Sequence, residues 1–279
     1  MDAIYDLHTH STASDGSLSP EELVNQAYAA GINTLALTDH DTVDGLANAL
    51  SASQTLDITF INGIELSTKW LSYTVHIVGL NINPDSEMLS QHIEHLKQLR
   101  EQRAIRIGEH LNKINIPDAY QNAKKLAGDG TVTRHHFAKY LVESGFAKDQ
   151  KDVFKRYLVR SKPGYVSVDW PTLGETIDCI HQSGGVAVIA HPLRYKMTAT
   201  KLRQLIADFK SLTGDGIEVV SGRQNKNELT RSISLCKQFE LLASSGSDFH
   251  NQNTPWAQLG ELHPLPETLA PIWQHWHSD

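Results

Sequence analysis

The sequence predicts a closed, barrel-like α/β fold with its helices outside a sheet. Short β-branched runs alternate along the chain with amphipathic helical stretches, and seven such runs occur. This alternation is typical of a parallel sheet covered by helices. The runs also end in, or lie beside, side chains of metal-ligand type. We therefore expect one large α/β domain with its chemistry at one end of the sheet.

The first helix can be assigned from its ends. Ser19, Pro20 and Glu22 have the positions of an N-cap, a first-turn proline and a capping-box glutamate. Gly31 is placed to end the same helix. A later helix shows a 3.6-residue apolar repeat over residues 202–212. The predicted strands are residues 4–7, 34–38, 58–64, 74–80, 186–190, 217–220 and 241–245.

One interval interrupts the alternation of strands and helices. Between residues 83 and 165 the sequence favours helices, and a long one carries an apolar repeat. The residues of that repeat are Leu89, Ile93, Leu96, Ile107 and Leu111. We therefore expect a barrel made of residues 1–82 and 166–279, and an inserted helical subdomain of residues 83–165 that acts as a lid or contacts the substrate.

Composition limits the class of protein. The chain has 279 residues, of which 40% are hydrophobic and 20% are charged, so it can bury a full core. Its formal charge of −7 argues against a protein that coats nucleic acid, because that mode of binding needs a broad basic surface. A nuclease is still compatible with this charge, since metal ions add local positive charge to an acidic pocket.

Cysteine content and hydropathy bear on the cellular compartment. Cys179 and Cys236 are the only cysteines, and their spacing fits neither a disulfide framework nor a thiolate zinc site. No apolar run reaches the length of a membrane span, and the first residues lead into a strand rather than a signal peptide. We expect a cytoplasmic protein without a membrane or an obligate protein partner.

Histidines and carboxylates accompany the predicted strands. His8 and His10 are two residues apart, so on a strand they point to the same side and can share one ion. In α/β barrels the carboxyl ends of the strands meet at a common mouth, so ligands distant in sequence converge there. The candidate metal ligands are His8, His10, Asp15, His40, Glu65, His76, His191, Asp248 and His250.

Taken singly, each of these residues has an ordinary structural explanation. A histidine such as His76 in an apolar strand is more often a hydrogen-bonded core residue, and Asp39 could cap a helix. Their joint placement favours a metal centre instead. Histidine and carboxylate ligands without thiolates suit Mn²⁺, Zn²⁺ or Fe²⁺, and nine candidates exceed the needs of one ion. We expect two or three ions and a metal-activated hydroxide that attacks a phosphoester, with no protein nucleophile.

These motifs, in this order, resemble those of the PHP (polymerase and histidinol phosphatase) family. The matching segments are His8-Thr9-His10 with Asp15, Thr38-Asp39-His40, Gly63-Ile64-Glu65, His76, Ala190-His191-Pro192 and Ser247-Asp248-Phe249-His250. The segments Thr133–Ala138 and Lys162–Tyr165 more narrowly resemble the group of nucleoside 3′,5′-bisphosphate phosphatases and 5′-to-3′ exoribonucleases within this family.

The resemblance implies a distorted seven-stranded (β/α)7 barrel, the PHP fold, with a trinuclear centre. It implies one ion held by His8, His10, Glu65 and Asp248, a second held by Glu65, His76 and His191, and a third held by Asp15, His40 and His250. Glu65 then bridges two ions. Asp39 is expected to accept a hydrogen bond from a ligand histidine and to fix its orientation. Mn²⁺ is the expected metal, with Zn²⁺ and Fe²⁺ as alternatives.

Phosphate substrates also need cationic side chains from the protein. We expect Arg194 and Arg223, which follow the fifth and sixth strands, and Arg134 and Lys162 in the insertion to contact substrate. A row of arginines on the long helix could guide a nucleic-acid backbone, although a charged helix face is usually only solvated. That row is Arg100, Arg103 and Arg106. The implied substrates are nucleotides, especially 3′,5′-nucleoside bisphosphates, and short 5′-phosphorylated RNA cleaved in the 5′-to-3′ direction.

Three other functions remain open from the sequence. A histidinol-phosphate phosphatase would share the metal motifs, but the helical insertion would be unexplained. A metal-dependent amidohydrolase commonly uses a lysine at the end of the fourth strand, where this chain has His76. A noncatalytic PHP module that binds phosphate is the third alternative, and the complete ligand set argues against it.

Overall fold

The strands form one barrel-shaped sheet, and their order in the sheet follows the chain. The computed structural model describes residues 3–128 and 130–276. The strands are β1 (Tyr5–Asp6), β2 (Thr34–Leu37), β3 (Thr59–Trp70), β4 (Tyr73–Leu80), β5 (Val186–Ile189), β6 (Gly216–Ser221) and β7 (Leu242–Gly246). All seven predicted strands are therefore confirmed, most of them to within one or two residues.

Helices lie between most of the strands, and several of them cover the outside of the sheet. They are α1 (Pro20–Ala29), α2 (Leu46–Ser53), α3 (Glu87–Asn112), α4 (Ala119–Ala127), α5 (Arg134–Glu143), α6 (Gln150–Val153), α7 (Leu173–Gln182), α8 (Ala199–Ser211) and α9 (Lys226–Gln238). Helix α1 begins as predicted: the Ser19 hydroxyl accepts from the backbone of Glu22, whose carboxylate accepts from the backbone of Ser19. The predicted capping box is confirmed.

Strands β7 and β1 close the barrel. The backbone N–H of Leu7 donates to the carbonyl of Ser245 at 2.9 Å, and Thr9 forms a parallel bridge with Phe249. Closure removes the exposed sheet edges and brings the chain just after β1 beside the chain just after β7. The segments that carry the N-terminal and C-terminal candidate ligands are therefore neighbours.

The expectation of a wholly parallel sheet is wrong for β4. This strand runs antiparallel to both β3 and β5, whereas the pairs β1–β2, β2–β3, β5–β6 and β6–β7 are parallel. The reason is that β3 extends to Trp70, six residues beyond its predicted end, and returns through a two-residue turn. Parallel strands need a long crossover, which a two-residue turn cannot supply.

Two apolar clusters hold the barrel together. The larger one lies between the strands and the outer helices, with Leu23, Leu35 and Ile177 completely buried. The other consists of alternate strand residues such as Leu7, Ala36 and Val188, and it includes Ile272. Alternation along a strand places successive side chains on opposite faces, so these two clusters are the outer and inner faces of the same sheet.

The interval after β4 is helical, as predicted. Helix α3 buries Leu89, Ile93, Leu96, Ile107 and Leu111, which are the residues of the predicted apolar repeat. Its C-terminal half joins a separate apolar cluster with α4 and α5, in which Phe137 and Leu141 are completely buried. The domain boundaries at residues 82/83 and 165/166 stay a prediction. Among the described residues, the helices are too short or too polar to cross a bilayer.

Candidate metal centre

The barrel brings all nine predicted ligands to one place. His8 and His10 follow β1, His40 follows β2 and His191 follows β5, and all four are buried or nearly so. Glu65 lies inside β3 rather than at its end, because the β3–β4 hairpin extends past the ends of its neighbours, and His76 lies inside β4 as predicted. The Glu65 bridge to His40 shows that this part of β3 is level with the end of β2.

The first group of ligand atoms surrounds one oxygen of Glu65. The Nε2 atoms of His8 and His10 are 3.1 Å apart and lie 3.3 Å and 3.4 Å from Glu65 Oε2. Asp248 Oδ1 lies 3.5 Å from His8 Nε2 and 3.2 Å from His10 Nε2. These four residues are the set that the family resemblance implies for one ion.

The second group surrounds the other oxygen of the same carboxylate. His76 Nδ1 and His191 Nε2 each lie 3.0 Å from Glu65 Oε1. His40 Nδ1 lies 2.8 Å from Glu65 Oε2, so it approaches the oxygen of the first group. Glu65 is thus the one described residue that contacts five histidines, which is the arrangement expected of a carboxylate that bridges two ions.

The third group forms around Asp15. Its Oδ1 atom is 3.4 Å from His250 Nε2 and 3.9 Å from His40 Nε2. One ligand atom from each of Asp15, His40, His250 and His10 lies within 4.8 Å of the others. The implied third set is therefore together in space, with His10 as an additional neighbour.

The donor atoms fit metal ions better than they fit each other. Glu65 Oε2 has imidazole nitrogens of three histidines within 3.4 Å, yet this buried oxygen has no hydrogen-bond partner among the described residues. Atoms that converge without hydrogen-bond geometry are arranged around common points. A buried carboxylate oxygen without a hydrogen-bond partner is costly unless a cation compensates it.

The local electrostatics favour the metal-binding protonation state for His10 and Glu65, whereas neighbouring carboxylates, against the effect of burial, raise the pKa of His8 and His40 and raise that of His250 to about 10. Burial and the neighbouring His250 lower the pKa of His10 to about 3, so its imidazole is neutral. Burial alone would raise the pKa of Glu65, but the surrounding histidines, first His40, hold it well below its usual range. Neutral imidazole and ionised carboxylate are the forms that bind divalent ions.

Two candidate ligands have a strained backbone. His191 and Asp248 have φ angles of 30° and 54°, in the left-handed region that non-glycine residues rarely adopt. Such conformations cost about 1–3 kcal/mol each and persist only when the surrounding structure imposes them. Both residues turn sharply at the ends of their strands, which directs their side chains towards the cluster.

The prediction that Asp39 accepts a hydrogen bond from a ligand histidine is wrong. A different carboxylate orients a histidine. Asp39 accepts hydrogen bonds from Ser11 and Ser14, so it fixes the loop that leads to Asp15. The carboxylate that pairs with a histidine is Glu218 in β6, which contacts His8 Nδ1 and also accepts from the backbone of His191 at 2.6 Å. The hydrogen bonds from Ser11 and Ser14 occupy both carboxylate oxygens of Asp39, because the loop that follows β1 passes beside it.

The arginine row of α3 is not a uniformly solvated face. Arg100 is buried and bonds to the carboxylate of Asp41 and, at 2.8 Å, to the hydroxyl of Ser67. It therefore joins α3 to the barrel. Arg106 is exposed, as a solvated charge would be. Arg103 is intermediate in exposure between Arg100 and Arg106. It lines a cavity beside the metal-ligand cluster, which consists of the nine predicted metal ligands.

This cavity is a cleft of about 760 Å³ between the barrel and the helical interval. Its lining includes Asp15, His40 and His76 of the predicted ligands and also Arg103 and Arg134. Across the described residues, neither arginine forms an ion pair with a carboxylate, and Arg103 Nε is buried without a partner. Desolvation and the neighbouring Arg134 lower the pKa of Arg103 to about 9. Two unpaired guanidinium groups side by side form a site for an anion.

The other predicted substrate contacts have different positions. Arg194 lines the cleft, and its guanidinium contacts the carboxylate of Asp248. Arg223 lies in a smaller pocket nearby and pairs with Glu261 at 2.6 Å. Lys162 is exposed and is not among the residues that line the cleft. Contact with substrate stays a prediction for Arg134, Lys162, Arg194 and Arg223.

Sequence reasoning missed Glu218 and His135, and it did not separate Arg103 from the rest of the arginine row. Glu218 could have been found, because an acidic residue inside an otherwise apolar strand indicates a buried charge with a partner. Arg103 carried no signal that separated it from Arg100 and Arg106. His135, which lies beside Arg134 at the start of α5, also lines the cleft, and its ring is 6.1 Å from that of His250.

A seven-stranded α/β barrel with clustered histidines and carboxylates at its mouth, beside a basic cleft, is the architecture of a metal-dependent hydrolase. The chain belongs to the PHP domain family, whose model matches residues 6–166. The predicted family resemblance is confirmed.

Similar proteins cover nearly the whole chain. A 5′-3′ exoribonuclease of Haemophilus influenzae is 46% identical over 97% of this chain and 98% of its own length. A 3′,5′-nucleoside bisphosphate phosphatase of Chromobacterium violaceum is 41% identical over 96% of this chain and 95% of its own. A solved structure from Chromobacterium violaceum, described as an amidohydrolase with bound sulfate and no metal, has a TM-score of 0.92 and 40% identity, and the match covers 98% of this chain and 95% of that one.

Proposed function

We propose that this chain is a metal-dependent phosphoesterase that acts on 3′,5′-nucleoside bisphosphates and on the 5′ end of short 5′-phosphorylated RNA. The similar proteins named as an exoribonuclease and as a bisphosphate phosphatase support this substrate class. The observation that carries the proposal is the position of Arg103 and Arg134 in the same cleft as the metal-ligand cluster. A substrate with two phosphates can place one at each site.

The two substrates share the same first nucleotide. In both, a nucleoside carries a 5′-phosphate and a 3′-phosphoryl group, and the RNA continues beyond that group. If the 5′-phosphate binds Arg103 and Arg134, the 3′-phosphoryl group reaches the cluster, and the bond to the 3′ oxygen is the one hydrolysed. Anchoring the terminal phosphate also sets the direction, because only a 5′ end can supply it.

Bound divalent ions would supply a nucleophile from water at neutral pH and would neutralise charge on the phosphoryl group. The nine predicted ligands would hold two or three ions, with Glu65 between two of them. Glu218 orients the His8 imidazole through its Nδ1 atom. Arg194 lies beside Asp248 and can add a guanidinium to the phosphoryl oxygens. The side chains around the site thus position the substrate and need not attack it.

We expect Mn²⁺ as the native metal, with Zn²⁺ and Fe²⁺ as the alternatives that the same ligands accept. The support is chemical: the cluster offers imidazole nitrogens and carboxylate oxygens, and Cys179 and Cys236 are both buried elsewhere. Metal analysis of protein purified without chelators, followed by activity after reconstitution with each ion, tests this expectation. A cytoplasmic location goes with the proposal because nucleotides and RNA ends are intracellular compounds.

The test of the proposed function compares adenosine 3′,5′-bisphosphate with adenosine 3′-monophosphate and histidinol phosphate. We expect the highest kcat/KM for the bisphosphate, because the other two compounds lack the second phosphate. On a 5′-phosphorylated RNA oligomer with added Mn²⁺, 5′ mononucleotides should appear one after another. A preference for histidinol phosphate would contradict the proposal and favour the small-molecule phosphatase.

Arg103→Gln tests the anion site itself. Losing a charged hydrogen bond to the 5′-phosphate should lower kcat/KM for the bisphosphate roughly 10-fold to 100-fold. The same substitution should have a much smaller effect on the 3′-monophosphate. Arg106→Gln is the matched control, since Arg106 lies on the same helix and is exposed. Equal losses on both substrates would place Arg103 outside the 5′-phosphate site.

A further inference from the structure

A second, smaller pocket lies on the other side of Arg194. Its volume is about 230 Å³, below the roughly 300–1,000 Å³ of a site for a whole drug-sized ligand, so it suits one part of a larger molecule. Arg194 lines both this pocket and the larger cleft, and His191 of the metal-ligand cluster also lines the pocket. The pocket therefore begins where the reacting phosphoryl group is proposed to lie.

An exposed tryptophan forms one wall of the pocket. The side chain of Trp256 is 60% exposed, the highest value among the large hydrophobic residues that the structure shows as exposed. Its backbone is nevertheless fixed, because the N–H of Arg223 donates to the Trp256 carbonyl at 2.7 Å. Gly222 permits this approach: a Cβ atom there would lie 2.4 Å from the same carbonyl oxygen. The backbone that carries the indole is thus held in place, and the side chain is open to solvent.

The polar groups of the pocket are incompletely satisfied. The hydroxyl of Ser221 is buried and has no hydrogen-bond partner among the described residues, and Ser221 is only 6% exposed. Arg194 and Arg223 bring two guanidinium groups to the pocket wall; Arg194 also contacts the carboxylate of Asp248, and Arg223 that of Glu261. Glu228 also lines the pocket, but its carboxylate accepts from the backbone of Asn225 as part of a helix cap. An aromatic surface with an unpaired hydroxyl and two guanidinium groups matches a nucleotide.

We propose that this pocket binds the second nucleotide of the RNA substrate, with its base stacked on Trp256. The proposal rests on the proposed function. Hydrolysis forms a bond between phosphorus and the oxygen of water and breaks the bond from phosphorus to the 3′ oxygen of the first nucleotide, which takes up a proton. The phosphate stays on the second nucleotide as its new 5′-phosphate. The second nucleotide is therefore attached to the reacting phosphorus and must lie next to the cluster.

A nucleoside 3′,5′-bisphosphate is the same substrate without the second nucleotide. It fills the large cleft and the cluster and leaves the smaller pocket to solvent. The pocket consequently distinguishes RNA from the bisphosphate, while the large cleft serves both. Stacking on an aromatic side chain tolerates every base, so we expect little sequence preference at this position.

The test is the ratio of kcat/KM for the dinucleotide pApA to kcat/KM for adenosine 3′,5′-bisphosphate, measured with the full chain loaded with Mn²⁺. Trp256→Ala should lower this ratio about tenfold, the loss expected for one stacked base. Trp256→Phe, which keeps an aromatic surface, should restore most of the ratio. Tyr28→Ala is the matched control, because Tyr28 is an exposed aromatic residue on α1 and is 45% exposed.

The outcomes separate the two proposals. If the wild-type chain hydrolyses neither compound, the proposed function fails. If it hydrolyses both and the ratio is the same in Trp256→Ala and in the wild type, the second-nucleotide site is overturned. An equal decrease on both compounds also overturns it, since that result would place Trp256 at the first nucleotide or in a structural role.

Discussion

His8 and Glu218 are 210 residues apart in the chain, and their side chains pair in the buried interior at the mouth of the barrel. Glu218 contacts Nδ1 of the imidazole, so Nε2 is left to face His10 and Glu65. A carboxylate on the far nitrogen fixes the tautomer and the ring orientation of a metal-binding histidine. The pair therefore links β6 to the proposed metal centre, although Glu218 is not one of the predicted ligands.

Glu218→Gln should weaken metal binding without removing a ligand. Loss of such an outer carboxylate typically costs about 10-fold to 100-fold in metal affinity. Titration of the metal-free protein with Mn²⁺ measures this change. Glu240→Gln, at an exposed glutamate that follows α9, is the control and should leave the affinity as in the wild type. An unchanged affinity in Glu218→Gln would show that His8 is oriented by other contacts.

The buried ion pair between Arg100 and Asp41 should matter for stability. Asp41→Ala leaves a buried guanidinium without its carboxylate, and we expect a loss of about 3–5 kcal/mol in the free energy of unfolding. Asp44→Ala is the comparison. Asp44 pairs with Lys97, which lies on α3 like Arg100, but the Asp44 side chain is 64% exposed. It should cost about 0–1 kcal/mol. Urea denaturation of both variants measures the difference, and similar losses would mean that Arg100 finds another partner.

Arg103 should show a conflict between function and stability. It lies beside Arg134 without a carboxylate, so its charge is unfavourable until an anion binds. Arg103→Met should raise the free energy of unfolding of the anion-free protein by about 1 kcal/mol and should reduce activity on the bisphosphate. Thermal unfolding with and without inorganic phosphate checks this: phosphate should stabilise the wild type more than the variant. Equal stabilisation by phosphate would argue against an anion site at Arg103.

Strand positions were predictable because the strands of a barrel are marked by strong apolar runs. The directions of the strands were harder to predict, and β4 shows why. The turn between β3 and β4 contains Leu71 at a φ of 52°, where a hairpin turn usually has glycine or asparagine. Without that signal, nothing in the sequence distinguished a hairpin from a crossover. Glu65 was accordingly placed at the end of a strand that in fact continues to Trp70.

The convergence of the predicted ligands could be anticipated from the sequence, whereas the lining of the cleft could not. Residues such as His8 and Asp248 are tied to strand ends, and the barrel brings strand ends together whatever the loops do. Arg103 and Arg106 are three residues apart on one helix, and only the packing of α3 against Trp170 decides which of them faces the cleft. Local pattern does not contain that information. Substrate contacts carried by an insertion therefore need the tertiary structure.

Metal removal should destabilise the protein as well as inactivate it. An ion that binds the predicted ligands of the folded chain and not the unfolded chain stabilises the fold by mass action, and among the described residues Glu65 Oε2 has no hydrogen-bond partner to replace the ion. Free Mn²⁺ at 100 times its dissociation constant should add about 2.7 kcal/mol to the free energy of unfolding. Differential scanning fluorimetry before and after chelation measures the shift. His8→Ala with His10→Ala should abolish it, and a shift that survives in this double variant would refute the proposed ligands.

Gly246 should be required where β7 meets β1. A Cβ atom at this position would lie 2.3 Å from the Cβ of His8 and 2.9 Å from its backbone nitrogen, so the two strands must move apart to accept any side chain. We expect Gly246→Ala to lower both the free energy of unfolding and the affinity for Mn²⁺, because the displaced strand carries His8 and His10. Gly174→Ala is the control, because Gly174 lies within α7 and a Cβ atom there would be 3.8 Å from its nearest neighbour. Alanine should stabilise that helix by roughly 0.5–1 kcal/mol. Chemical denaturation and metal titration of both variants give the comparison, and an unchanged metal affinity in Gly246→Ala would mean that the loop after β1 adjusts independently of the strand.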